Sequence, residues 1–322
     1  MDLDIAIHRG ETEKPLVIFI HGLGMDKNFW VNPLETKIFA KNIPLKVFAA
    51  ARPRPASLKS GKKLTIGSVP KKIDNLWSAL RDKGFNLLCW SQRRPVGPVN
   101  VAVEELEEII QKAGSLFPHQ PLALIGHSRG GLVARKFMET DVTGISALIT
   151  LSSPHKGSSL SKIGKRLSPL SAFLKGVLPK DTHGTVSGVL KNVTDLLEGS
   201  ALKELMPGSD FFRDLRDAPV EGIKYLSFGG TKTELLTLYK WKRQGDALYP
   251  EPMLVIPDSL ISVLPASVIP DELCPGKGDF MVTAESAVLP WADRHYDLNV
   301  NHISIMWNKT VINRVIEVLD GM

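Results

Sequence analysis

The chain has 322 residues, 43% hydrophobic and 23% charged, an ordinary composition for a soluble globular protein with one large core or two modest ones, which excludes extended disorder. Its 40 Lys and Arg against 34 Asp and Glu leave a formal charge of +6, small for this length, and without a basic repeat or RNA-binding signature nucleic acid is not an expected partner. Cys89 and Cys274 have no Cys or His beside them at metal-site spacing, so neither a zinc cluster nor a disulfide framework is expected, and a single bond between the two is left open.

Taken in chain order, the first fourteen residues carry acids at Asp2 and Asp4 and no apolar run of signal-peptide length, which predicts a cytoplasmic protein. Strands are predicted at 15–21, 85–90, 121–126, 145–152 and 223–228, mostly too apolar on both faces to be edge strands. None approaches the roughly 20 apolar residues that span a bilayer, so the chain is expected to touch lipid peripherally at most. Helical spacing of Val99, Val103, Leu106, Ile109 and Ile110, and again of Val311, Ile312, Val315, Ile316 and Leu319, places helices between and after these strands. The alternation predicts an α/β fold with a mostly parallel sheet.

Three segments interrupt it. Residues 52–72 carry seven basic residues, three prolines and no acid, and are expected to be an extended surface loop. Residues 157–217 read as a helical excursion, with an apolar face over Val186, Val189, Leu190, Val193, Leu196 and Leu197, and with Ser209 as N-cap of a short helix carrying Phe211, Phe212 and Leu215. Residues 231–278 form an irregular insertion with no assigned elements. The expectation is one domain over 1–322 that includes both insertions.

The chemistry starts at Gly126-His127-Ser128-Arg129-Gly130, between a buried strand and a helix, which is the context in which G-x-S-x-G acquires meaning. Glycine two residues to either side lets strand and helix pass closely, so Ser128 stands on a sharp turn at a helix N-terminus, where free N–H groups favour an oxyanion. His21-Gly22-Leu23-Gly24 follows the first buried strand and can aim the Leu23 N–H at the same oxygen as that of Arg129. A serine nucleophile needs a histidine base and a carboxylate that orients it. Of eight histidines, His302 sits on a short polar loop before the last helix, where the order Ser, acid, His puts the base. His127 is aimed elsewhere by its place on the turn, His21 belongs to the oxyanion loop and His8 to the N-terminal strand region, while His119, His155, His183 and His295 read as surface or structural residues. Asp279, on a glycine-flanked loop, is the preferred acid, with Asp258, Asp271 and Asp293 as alternatives.

HGLG, GHSRGG, SSPHKGS, LMPGSDFFRDL, GDFMVTAESA and NVNHIS, in this order along nearly the whole chain, resemble the bacterial triacylglycerol lipases and related esterases of the α/β-hydrolase superfamily. The resemblance implies an α/β-hydrolase fold, a triad of Ser128, Asp279 and His302, an oxyanion hole of the Leu23 and Arg129 N–H groups, and a helical lid over about 157–217. It implies a lipid or small-molecule ester substrate and no cofactor. The chain departs from the family by having Phe280 where glycine usually follows the acid, and Ile303, Ser304 and Ile305 after the base, which implies no metal, the calcium site of some of these lipases being absent. Hydrolysis of a carboxylic ester is the leading expectation. The same site could serve a phospholipase, a lipid deacylase or an acyltransferase, and a non-catalytic lipid-binding protein could share the fold.

Overall fold

The structure, a computed structural model, describes residues 3–38, 43–57, 64–160, 200–262, 265, 267 and 269–322. In chain order the strands of five or more residues are β1 (Asp4–His8), β2 (Leu16–Ile20), β3 (Asn86–Ser91), β4 (Leu122–His127), β5 (Ile145–Leu151), β6 (Lys224–Gly230), β7 (Leu236–Gln244), β8 (Ala247–Ile256) and β9 (Arg294–Leu298). The longer helices are α1 (Leu76–Asp82), α2 (Val99–Leu116), α3 (Arg129–Phe137) and α4 (Lys309–Asp320). Every predicted strand is present to within two residues at either end.

Seven strands make one sheet in the order β1-β3-β2-β4-β5-β6-β9, parallel throughout except that β1 runs antiparallel to β3. Because side chains alternate across a strand, β2 sends Leu16, Ile18 and Ile20 into one apolar cluster and Val17 and Phe19 into another, all with no exposed surface. The first cluster packs beneath α2 and α3, through residues such as Leu106, Ile109, Leu132 and Val133. The second packs beneath α1 and α4, through Leu76, Leu80, Val311, Val315 and Leu319. Burial on both faces explains the near-continuous apolar runs of the central strands.

Residues 231–278 are more regular than expected. β7 and β8 form an antiparallel hairpin whose turn is Gly245-Asp246, with Gly245 at φ +58°. Prolines at 250 and 252 argue against a strand, since they cannot donate to a ladder. They are accommodated beside a register shift at Leu238/Tyr239, and the neighbouring strand on that side is only two residues long. Residues 52–72 are also not wholly loop: Ala56–Ser57 adds to β8 and Leu64–Thr65 to β7, giving a second sheet of four strands. The apolar face expected from Val186 to Leu197 lies outside the described residues. Its return limb comprises helices Ser200–Glu204 and Asp210–Asp214, and Ser209 occupies the N-cap position with extended backbone but donates its hydroxyl to the Glu204 carbonyl, 2.6 Å away, instead of capping. Cys89 and Cys274 are both free thiols, and burial pushes the Cys89 thiol up. No helix among the described residues is long and apolar enough to cross a membrane.

Candidate active site

The turn from β4 into α3 carries Ser128 at φ 54° and ψ −127°, a left-handed backbone that costs a non-glycine residue about 1–3 kcal/mol. The fold imposes it. The Ser128 N–H donates to the Leu151 carbonyl of β5 at 2.8 Å, and its own carbonyl accepts from Gly131 N–H at 3.1 Å. A side chain at Gly126 would put Cβ 2.4 Å from Gly131 N, and one at Gly130 would put it 2.3 Å from the Ile20 carbonyl oxygen. Glycine at both positions is therefore required by contact between strand and helix. Ser128 is 8% exposed.

The HGLG loop lies against this turn, for a Cβ built at Gly22 would stand 3.0 Å from the Cβ of Ser128. His21 holds the loop. Its Nδ1 bonds the Gly22 carbonyl at 3.0 Å and its Nε2 accepts the Gln92 N–H at 3.1 Å, which fixes the proton on Nδ1. Burial lowers its pKa to about 4, so the ring is neutral. The Arg129 N–H is at the first position of α3, where no intrahelical acceptor exists.

Asp279 and His302 are clamped to each other twice. His302 Nδ1 lies 3.0 Å from Asp279 Oδ2, and the His302 N–H donates to the Asp279 carbonyl at 3.0 Å. The other carboxylate oxygen, Oδ1, accepts N–H bonds from Met281 at 3.0 Å and Val282 at 2.8 Å. Both residues are nearly sealed, Asp279 at 0% and His302 at 3% exposure. The acid loop sits at the end of β6, where a Cβ on Gly230 would fall 2.7 Å from the Asp279 Cβ. The departure at position 280 has a geometric counterpart: Phe280 takes φ +88°, the conformation a glycine would adopt, and is 8% exposed in the first apolar cluster.

His127 joins these parts. Its Nε2 is 2.8 Å from the His302 carbonyl and its ring centroid 4.8 Å from that of His302. A carbonyl only accepts, so Nε2 carries the proton; burial, then the charge His302 can carry, hold its pKa well below the ordinary value. The structure thus brings His302 onto the residue preceding Ser128. The alternatives fall elsewhere: Asp258 accepts from the Thr233 hydroxyl, Asp271 pairs with Lys277 at the surface, and Asp293 accepts the Tyr225 N–H at the start of β6. His155 is buried against Arg135 and Thr150, His8 lies on edge strand β1, and His119 sits in a turn. His183 is outside the described residues.

Spacing alone did not reveal the scaffold behind Arg129. Its guanidinium, with no exposed surface, donates to the Gly97 carbonyl and to Gln92 Oε1. Gln92 in turn donates from Nε2 to the His21 carbonyl at 3.3 Å, so one glutamine links the residue after the nucleophile to the HGLG loop. Burial lowers the Arg129 pKa to about 10, against the opposing pull of Glu204 and Glu105. Glu105 is itself buried, accepting from the Trp90 indole at 3.0 Å. Glu204, from the return limb, accepts the Val99 N–H at 3.0 Å, which ties that limb to the start of α2. No group of three or more potential metal ligands occurs among the described residues.

A parallel sheet with helices on both faces, a serine on a strained strand-to-helix turn and a histidine after the last strand define an α/β-hydrolase fold. The family model described as a PGAP1-like alpha/beta domain matches residues 98–203. Similar solved structures are a candidate non-heme bromoperoxidase, BpoC, of Mycobacterium tuberculosis H37Rv, at 11% identity and TM-score 0.51 over 100% of this chain and 96% of that one, and the lipase BlEst2 of Bacillus licheniformis. The propeptide form of that lipase aligns at 16% identity and TM-score 0.50 over 98% of this chain and 53% of its own, and the mature form at 15% and 0.46 over 98% and 97%. The two likenesses at a TM-score of 0.50 or above establish the fold. No curated protein matches the chain in sequence.

Proposed function

We propose that the chain is a serine hydrolase that cleaves carboxylic esters of lipid-like substrates through an acyl-enzyme. The observation that carries this reading is the Asp279–His302 clamp held, through His127, on the turn that strains Ser128. An ionised carboxylate only accepts, so the proton of neutral His302 stays on Nδ1 and Nε2 keeps a lone pair for the serine hydroxyl. In the first step His302 takes that proton as Ser128 Oγ bonds the ester carbonyl carbon, and the oxyanion is stabilised by the N–H groups of Leu23 and Arg129. The protonated histidine then returns its proton to the departing alcohol. Water, activated by the same nitrogen, releases the acid in the second step. Asp279 orients His302 and stabilises its charged form.

The test is hydrolysis of p-nitrophenyl esters from acetyl to palmitoyl, with labelling by a fluorophosphonate probe, for the wild type beside Ser128→Ala. Serine-dependent turnover and labelling are expected. Turnover that survives the substitution overturns the assignment, and labelling without hydrolysis of any simple ester moves the substrate to a phospholipid, a lipid-linked sugar or an acyl acceptor other than water.

A further inference from the structure

Between Glu35 and Asp74 the sequence holds ten Lys and Arg and no acid. Of the chain's 40 basic and 34 acidic residues, thirty basic and all 34 acidic ones lie elsewhere, so the whole positive excess of the protein comes from this one stretch. Charge so concentrated is a statement about partners rather than about fold.

Among the described residues, part of this stretch packs onto the β7–β8 hairpin. Ala56–Ser57 and Leu64–Thr65, from within the basic stretch, flank the β7–β8 hairpin on either side, and Arg52 donates to the Pro250 carbonyl at 3.4 Å. β7 adds exposed Lys240, Lys242 and Arg243. Glu251 stands between Lys240 at 3.1 Å and Lys242 at 3.5 Å, and Asp246 is exposed at the hairpin turn, so the hairpin's three cations exceed its two carboxylates by one. Apolar side chains are exposed in the same place. Of the six large hydrophobic residues that stand exposed among the described residues, Tyr249 and Met253 lie on β8, Val69 follows the strand Leu64–Thr65, and Tyr249 is the register partner of Lys242.

The unit also has a fixed place relative to Ser128. From the end of β6 the chain bonds the His302 loop through Thr231 N–H and hydroxyl to the Leu298 carbonyl, Lys232 N–H to the Val300 carbonyl and Asn301 Nδ2 to the Glu234 carbonyl, before entering β7. The basic sheet is thus rooted at the carboxyl end of the central sheet, beside the candidate base.

We propose that this four-stranded sheet docks on an anionic phospholipid bilayer. Clustered Lys and Arg are drawn to the negative surface potential, while a tyrosine and short aliphatic side chains suit the boundary between headgroups and acyl chains. The proposal stands on charge and exposure and is independent of the chemistry at Ser128.

The test is sedimentation of the full chain with vesicles of phosphatidylcholine alone and with about a third phosphatidylserine. Binding is expected only to the anionic vesicles and is expected to fall as salt rises. The combined variant R54Q/K71Q/K240Q/K242Q/R243Q should bind roughly a hundredfold more weakly, and Y249S/M253S severalfold more weakly, both with the wild-type melting temperature and short-chain esterase rate. Ser128→Ala should bind as wild type. Equal binding to neutral vesicles, unchanged binding of the fivefold variant, loss of binding in Ser128→Ala, or tighter binding to a DNA duplex than to anionic vesicles would each overturn the proposal. Should the vesicle results hold while no Ser128-dependent hydrolysis is found, the hydrolase reading fails alone.

Discussion

Two groupings of Ser, His and Asp stand out among the described residues, Ser128 with His302 and Asp279, and Ser227 with His295 and Asp297, and they differ in how the backbone presents the serine. Ser227, on β6, lies 2.8 Å from His295 Nδ1, and His295 Nε2 lies 3.1 Å from Asp297 Oδ1 on the neighbouring strand β9. By residue type alone this set has the makings of a triad. Ser227, however, is fully buried within a strand, its hydroxyl also accepting the Leu289 N–H at 3.4 Å, and Asp297 is half exposed. Ser128 has left-handed backbone at the start of α3, and its histidine faces a sealed carboxylate. The second set is a hydrogen-bonded tie between β6 and β9.

Substitutions at the two serines should separate the sets most sharply. Ser128→Ala is expected to lower kcat by about 10³-fold or more with an unchanged melting temperature, while Ser227→Ala leaves kcat within about twofold and costs roughly 1 kcal/mol of stability. Ester hydrolysis and thermal unfolding on the same preparations check both. At the acids, Asp279→Asn should cost on the order of 10⁴ in kcat by favouring the wrong tautomer of His302, and Asp297→Asn should leave the rate unchanged; pH–rate profiles of the two variants test this. Smaller still, His127→Phe keeps the ring stack but removes the bond to the His302 carbonyl, and should lower kcat roughly tenfold with less effect on KM.

On stability, the buried neutral histidines set a pH limit. His21 titrates near 4 in the folded chain against about 6.5 when unfolded, so the unfolded state binds the proton more readily. Its contribution, about 3 kcal/mol, is fully present above pH 6.5 and is lost as pH falls toward 4. His127 and His155, lowered in the same direction by burial, add to it. Urea denaturation across pH 4–7 should show the loss, and a His21→Gln variant should flatten it.

How much of this was legible in sequence depends on the range of the signal. The strand runs, Gly126 and Gly130, and the order Ser128, Asp279, His302 are local patterns or ordered motifs; the structure has the sheet they predict, the sharp turn at Ser128, and Asp279 paired with His302. The link from Arg129 through Gln92 to His21 could not be read, because it joins three loops that only the parallel sheet brings together. The β7–β8 hairpin was hidden for a different reason. Pro250 and Pro252 mask the strand pattern, although Gly245-Asp246 is a recognisable turn pair. The pairing of residues 52–72 with that hairpin was beyond reach, since two-residue strands have no periodicity to detect.

Phe280 bears on how this site can vary. With φ +88°, position 280 tolerates glycine for its backbone and tolerates phenylalanine because the ring is buried in the apolar cluster above the sheet. Residues between these extremes, such as alanine, serine or valine, inherit the unfavourable dihedral without the contacts that offset it. The position has two separated solutions with a barrier between them. A lineage that holds one cannot drift to the other by small steps without loosening the carboxylate one residue away.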